Sequence, residues 1–316
     1  MKNLNIIFMG TPEFGAIILK GLIENNYKPS LVITVPDRPV GRKQIITPPP
    51  VKVVAKENNI PYLQPENLKL ITNDIKRENP DLIIVAAYGK IIPKEIIDIP
   101  KYKTINVHPS LLPKYRGSAP IQAAILNGDK VTGTTIMLIG EKLDAGPIIA
   151  QEEVKLNGNE TAQDLHDKLA EISINLLIKI MPKWIKKEIK EKQQDENRAS
   201  YYKEMKKEDG KIDWSKSAEE IERKIRAFTP WPGSYTFWEK DKKEIRINIL
   251  KSRLFISPTP KTYSIGKVLV VPQNEIGIQC GKDFLVIEEL QIEGKNKTKA
   301  EDFIKGHMDF IGTILK

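Results

Sequence analysis

A single cysteine, Cys280, stands in the 316 residues, so neither an intrachain disulfide nor a multi-cysteine zinc site can form. That scarcity agrees with a reducing compartment, and the cytoplasm is the expected location. Histidine is almost as rare: His108, His166 and His307 share no ligand spacing, and no metal is expected. No run approaches the roughly 20 apolar residues that cross a bilayer, which argues for a soluble chain. The opening MKNLNIIFMG has a short apolar run ending in a glycine turn and no small-residue cleavage site, so no signal peptide is expected. Internal repeats are missing, and low complexity is confined to the brief run at 48–50. The loop GTPEFG at 10–15 lies where a dinucleotide fingerprint would, without the G-x-G-x-x-G spacing. Pro12 removes a backbone donor and Glu13 adds negative charge, so a tight strand-to-helix turn fits better than nicotinamide or flavin binding.

What is present is ordinary globular composition, 40% hydrophobic and 29% charged, with a formal net charge of +9. The length exceeds one typical domain, and each half can bury a core. The positive balance favours polyanions, nucleic acid first among them. Lysines that alternate with glutamate over 183–196 equally fit a solvated surface, so charge alone leaves both readings open.

Continuous apolar runs at 5–9, 30–35 and 81–86, with shorter ones at 104–107 and 134–138, alternate with amphipathic segments such as 16–24. Buried parallel strands covered on both faces give this pattern, hence an open, doubly wound α/β sheet. After a long helical stretch at 161–189 the chain turns polar through 190–210. A helix at 218–226 and short runs at 235–238, 244–251, 266–271, 277–279 and 284–291, punctuated by Gly and Pro, predict a small β-barrel. The expected domains are 1–189, a linker at 190–206, and 207–316.

The most chemical segment is NVHPSLLP at 106–113. Asn106 and His108 flank one residue at the end of a strand, so period two puts both on one face. An amide donor beside an imidazole can hold a developing oxyanion and move protons near neutrality; a capping asparagine and a structural histidine remain the alternative. LDAGP at 143–147 adds Asp144, either an orienter for His108 or a turn-initiating residue. PDRPVGRK at 36–43 presents Arg38, Arg42 and Lys43 on a proline-stiffened loop, for phosphates or merely for solvent. RAFTPWPG at 226–233 reads chiefly as a structural corner.

Taken in order, these motifs resemble the 10-formyltetrahydrofolate-dependent formyltransferases that act on methionyl-tRNA. The matching stretches are IIFMGTPEFG (6–15), PDRPVGR (36–42), AAYGKIIP (86–93), INVHPSLLPKYRGSAPIQ (105–122), TTIM (134–137) and LDAGP (143–147). KEDGKIDW (207–214), RAFTPWPG (226–233) and GKNKTKAEDFIKG (294–306) extend the match over essentially the whole chain. The resemblance implies a Rossmann-like catalytic domain and an OB-like barrel that contacts tRNA. It puts Asn106, His108 and Asp144 at the catalytic positions, and Ser110, Leu111, Leu112 and Pro113 on the folate. It also implies that the backbone around Ala86, Ala87, Tyr88, Gly89 and Ile91 lines the pterin pocket. The co-substrate is then 10-formyltetrahydrofolate, the partner initiator methionyl-tRNA, and the chain a monomer without membrane contact. Two stretches depart from the family pattern. KQII at 43–46 is less basic than in many relatives, and LIGEK at 138–142 replaces a segment that often carries Gln and an acid. An amino-sugar formyltransferase, a folate hydrolase and an inactive RNA-binding relative are the competing readings.

Overall fold

A computed structural model of the chain describes residues 4–41, 43–257 and 263–316. The chain divides into two compact units, one of residues 1–120, 131–155 and 165–203, the other of 121–130, 156–164 and 204–316. The polar stretch at 190–203 therefore groups with the first unit.

In the first unit the strands are β1 Ile6–Gly10, β2 Leu31–Ile33, β3 Arg38–Val40, β4 Ile45–Thr47, β5 Tyr62–Leu63, β6 Leu82–Ala86 and β7 Thr104–His108. They continue with β8 Arg116–Gly117, β9 Val131–Leu138, β10 Ile148–Lys155 and β11 Tyr201–Tyr202. Seven form the central sheet in the order β10-β9-β7-β6-β1-β2-β5. Strict alternation sorts its side chains. Ile6 and Phe8 of β1 join Leu82 and Ile84 of β6 under helices α1 Glu13–Glu24, α2 Pro50–Glu57 and the later α6, Ala162–Ile185. Ile7, Met9, Ile83 and Val85 point the other way, packing with Ile75 of α3 Thr72–Glu78 and Ile96 of α4 Lys94–Ile97. A strand buried on both faces must be apolar at every position, which is why these runs are legible in the sequence.

The sheet is not wholly parallel. β7 pairs antiparallel with β9, and β9 with β10. The turn at 139–147 is too short for a parallel crossover, so β10 runs back along β9. The loop carrying Arg38 is likewise no plain loop but the hairpin β3–β4, with Arg38 opposite Thr47 and Val40 opposite Ile45. The first helix begins at Glu13 rather than residue 16, because Pro12 stands as its N-cap.

The second unit is a curled antiparallel sheet. Its strands are β12 Ser234–Lys240, β13 Lys243–Phe255, β14 Val268–Val271, β15 Glu275–Gln279, β16 Phe284–Ile292 and β17 Thr298–Lys299. The order is β12-β13-β16-β15-β14, with β17 on β16. Two register shifts in β13, around Lys251, let that long strand bend. Trp214, Trp238, Ile247, Ile278, Leu285 and Phe310 fill the interior. Helix α5 Pro120–Leu126 lies almost wholly in the 121–130 segment of this unit; α7 Ala218–Ala227 is opened by a Ser217–Glu220 capping box, and α8 Ala300–Gly306 packs on β16.

Candidate active site

Ile105 and Val107 of β7 point into the α1 face of the sheet, so alternation puts Asn106 and His108 together on the opposite face, at the carboxyl end of the strand. His108 is buried, 4% exposed. Its Nε2 lies 3.0 Å from the Tyr115 carbonyl oxygen; a carbonyl only accepts, so Nε2 carries the proton. Its Nδ1 lies 3.8 Å from Asp144 Oδ2, longer than a hydrogen bond but with the carboxylate facing that edge of the ring. Asp144 is fixed in turn: the Gly117 N–H donates to Oδ2 at 2.8 Å. The Asn106 side chain is half-buried and has no hydrogen-bond partner among the described residues. The structure thus brings His108 and Asp144 together and leaves Asn106, on the same face, with its amide free.

The loop after β7 is held by a residue the sequence reading passed over. The Thr135 hydroxyl donates to the Ser110 carbonyl at 2.6 Å and accepts from Leu112 N and from Gln151 Nε2. Ser110 is fully buried and donates its own hydroxyl to the Lys114 carbonyl. Leu112 is buried and Leu111 half-buried, and the Leu112–Pro113 peptide is cis.

At the end of β6, Gly10 and Gly15 each approach the Ala86 carbonyl so closely that a Cβ would stand 2.8 Å from its oxygen. The glycines of the N-terminal loop serve close packing. Beyond Ala86 the chain rises into an exposed ledge. Ala87 (φ +49°) and Gly89 (φ +82°) are left-handed, and Ile91 is 94% exposed. Tyr88 between them is buried. Its carbonyl accepts from Thr11, and burial pushes its phenol up to about 12.

Arg38 and Lys43 lie exposed on the β3–β4 hairpin beside exposed Val40, Ile45 and Ile46, while Arg42 falls outside the described residues. Asp37 anchors the hairpin base, accepting from Gln64 and Lys52 at 2.7 Å each, which holds its carboxyl below the ordinary range. In the second unit, Arg226 makes a two-pronged bond to Glu222 and donates to the Glu160 carbonyl, the contacts of a structural corner.

The sequence reading also missed Arg116, which is fully buried. Gln194, Glu196 and Tyr201, all between 190 and 203, bind it. A buried arginine demands partners, yet nothing local in KYRG says where they come from. Among the described residues no group of His, Cys, Asp and Glu gathers as a metal site, and no helix is long and apolar enough to cross a membrane.

An open, mostly parallel sheet whose strand ends carry an amide, an imidazole and a carboxylate defines an α/β enzyme of the Rossmann-like kind. Residues 1–181 match the formyl transferase family, and residues 204–308 the formyl transferase C-terminal domain. The methionyl-tRNA formyltransferase of Citrifermentans bemidjiense is 42% identical over 310 residues, 97% of this chain and 95% of its own. That of Bacillus subtilis is 43% identical over 314 residues, covering 98% and 97%. The chain belongs to the formyl transferase family. Among solved structures, an N-formyltransferase from Helicobacter canadensis in complex with folinic acid and dTDP-3-aminofucose shares the fold, with TM-score 0.65 at 22% identity over 93% of this chain and 100% of that one. HypX from Aquifex aeolicus with tetrahydrofolic acid has TM-score 0.62 at 16% identity, covering 98% of this chain but 48% of HypX, so the chain spans about half the HypX length.

Proposed function

We propose that this enzyme transfers the formyl group of 10-formyltetrahydrofolate to the α-amine of initiator methionyl-tRNA. The observation that carries the reading is the His108–Asp144 pair beside the unpartnered Asn106 amide, in a chain over 40% identical along nearly its full length to proteins of that name. The ledge at 87–91 fits a planar heterocycle: its backbone is exposed at Ala87 and Gly89, and nothing lies within 4 Å of the position a Gly89 Cβ would take. Leu111, Leu112 and Pro113 offer an apolar wall, and Ser110 shapes that wall through its carbonyl and hydroxyl bonds.

The folate supplies the formyl group and, as leaving group, an amine nitrogen that takes up the proton the α-amine sheds, so atoms and charge balance. A free α-amine has a pKa of roughly 8, so neutral nucleophile is at hand without a strong base. Asn106 donates an N–H to the formyl oxygen as negative charge gathers there. A preorganised donor of this kind contributes about 3 kcal/mol, some hundredfold in rate. His108 in its doubly protonated form places positive charge at the same site, with Asp144 facing the added proton and the Tyr115 carbonyl holding the other. Arg38 and Lys43 on the hairpin, together with Arg42 between them in sequence, meet acceptor-end phosphates; residues 207–316 form the second tRNA-contacting domain, joined to the catalytic domain 1–189 through 190–206, of which 190–203 groups with the first unit. The enzyme works as a monomer in the cytoplasm, where initiation takes place.

The test is a transfer assay with charged initiator and elongator methionyl-tRNA, and an amino-sugar nucleotide as control acceptor. Formylation of the initiator tRNA with no product from the sugar is expected. Preference for the sugar overturns the acceptor assignment. Asn106→Ala, His108→Ala and Asp144→Ala should each lower kcat far more than they weaken folate binding, and a near-normal single-turnover rate in His108→Ala removes the mechanism.

A further inference from the structure

Arg116 presents five N–H groups, and all five are used. Nε and Nη2 donate to Gln194 Oε1 at 3.1 and 2.9 Å, Nη1 and Nη2 to the two Glu196 oxygens at 3.0 and 2.8 Å, and Nη1 also to the Tyr201 hydroxyl at 2.7 Å. Gln194 is equally saturated. Its oxygen takes both bonds from Arg116, and its amide donates to the carbonyls of Asp144 and Gly146 at 2.9 and 2.7 Å. Asp144 is a non-glycine residue at φ +48°, left-handed backbone that few side chains adopt and that aspartate tolerates in turns. The Gln194 bonds to the carbonyls on either side of Ala145 tie that turn down.

The same segment holds the other partner of His108. Tyr115, whose carbonyl faces Nε2, is also left-handed at φ +61°. Its N–H donates to Ser200 Oγ at 2.9 Å, and the neighbouring Arg116 N–H donates to the Ser200 carbonyl at 2.8 Å. One run of chain, 194–202, thus fixes both groups that flank the imidazole. We infer that Gln194, locked by Arg116, is a positioning residue that aims Asp144 at His108, so that 194–202 belongs to the frame of the active site rather than to a passive connection.

This inference rests on the role proposed above for Asp144, and the experiment separates the two. Gln194→Met keeps the length of the side chain and removes all four hydrogen bonds. Steady-state formyl transfer should show kcat lowered by about tenfold or more, with KM for the folate changed less than about threefold, as misplacement of a reacting-site group does. In an Asp144→Ala background the same substitution should change kcat by less than about twofold, because residues acting through one group are not additive. Gln194→Glu keeps an acceptor for Arg116 and loses the two donations to the Asp144 turn. It should match Gln194→Met in kcat, and it serves alone if Gln194→Met does not fold. Wild-type kcat in a folded Gln194 variant, or full additivity with Asp144→Ala, overturns the inference. If Asp144→Ala itself turns over normally, the role of Asp144 falls and takes the inference with it; if Asp144→Ala is impaired and the Gln194 variants are not, only the inference falls.

Discussion

Replacing Gly117 by alanine isolates the physics of the site in one methyl group. Gly117 sits at φ +106°, and an added Cβ would stand 2.3 Å from the Tyr202 carbonyl oxygen. The obstacle is backbone in the β8–β11 pair, so no rotamer change relieves it; β8 and β11 must part or Gly117 must rotate. Rotation turns its N–H away from Asp144 Oδ2, now 2.8 Å distant. The left-handed conformation costs an alanine roughly 1–2 kcal/mol, and a hydrogen bond to a charged acceptor contributes about 1.5–3 kcal/mol. The sum is a destabilisation of about 2.5–5 kcal/mol, a fall in melting midpoint of roughly 5–20 °C for a unit of this size. If the hydrogen-bond share appears in the transition state, kcat drops roughly ten- to hundredfold. Gly158→Ala is the control: φ is +89° and nothing lies within 4 Å of its Cβ, so it should lose roughly 1–2 kcal/mol and no turnover. Thermal unfolding followed by circular dichroism gives the first quantity and single-turnover formyl transfer the second. Gly117→Ala with a wild-type rate would falsify the claim that this amide sets the Asp144 carboxylate.

Hydrogen bonds from Arg116 hold the Glu196 carboxyl below its ordinary 4.5. Its contribution is therefore fully present above pH 4.5 and lost as pH falls through the lower folded value; the melting-point gap between wild type and Glu196→Gln should be constant near neutrality and close in acid, and a gap that persists in acid contradicts this. Burial raises Tyr88 from 10.0 to about 12, so the folded state keeps a proton that the unfolded chain releases. Tyr88→Phe should accordingly resist alkaline unfolding above pH 10 better than its parent, and equal resistance in a pH-jump assay refutes it. Gly21→Ala drives a methyl to 2.5 Å from Ile174 Cδ1 between α1 and α6, and urea unfolding should report a loss of about 1–3 kcal/mol from overpacking. Arg38→Ala and Lys43→Ala should each reduce the slope of log affinity for tRNA against log salt by about one, and an unchanged slope removes that residue from the phosphate contacts.

Strands buried on both faces announce themselves: β1, β2 and β6 are continuous apolar runs, buried at every position. β10 is half exposed, with a polar centre at Gln151, Glu152 and Glu153, and offers no such run. Its antiparallel direction follows from a turn length, which apolar patterning does not encode. The β3–β4 hairpin hides behind Pro36 and Pro39, which argue locally against a strand. Of the candidate site, the shared face of Asn106 and His108 was readable from period two. Asp144 was readable as a site residue only through the resemblance, because its approach to His108 depends on a turn 36 positions further along the chain. Arg116 and Gln194 were not readable at all: their pairing spans 78 residues, and a polar, charged segment such as 190–203 has the composition of a solvated connection until its partner is known.

The density of bonds at that segment has a physical cause. Tyr115 and Asp144, the two groups that flank the imidazole, are non-glycine residues in left-handed backbone, at a cost of roughly 1–2 kcal/mol for the tyrosine and less for the aspartate. Neither belongs to a strand of the central sheet, so the sheet ladder does not hold them there. Glycine at either position would relax the backbone but forfeit the carboxylate at 144, and at 115 it would leave the carbonyl on a looser chain. The remaining route is to keep the side chains and restrain the loops from outside. Ser200 and Gln194 do so, and Gln194 can be rigid only because a buried guanidinium fixes its oxygen. A fully buried charge is costly unless every donor is met, and here the five that are met span Gln194, Glu196 and Tyr201. The arginine thus converts a polar run of chain into a brace for the two backbone positions on which the orientation of His108 depends.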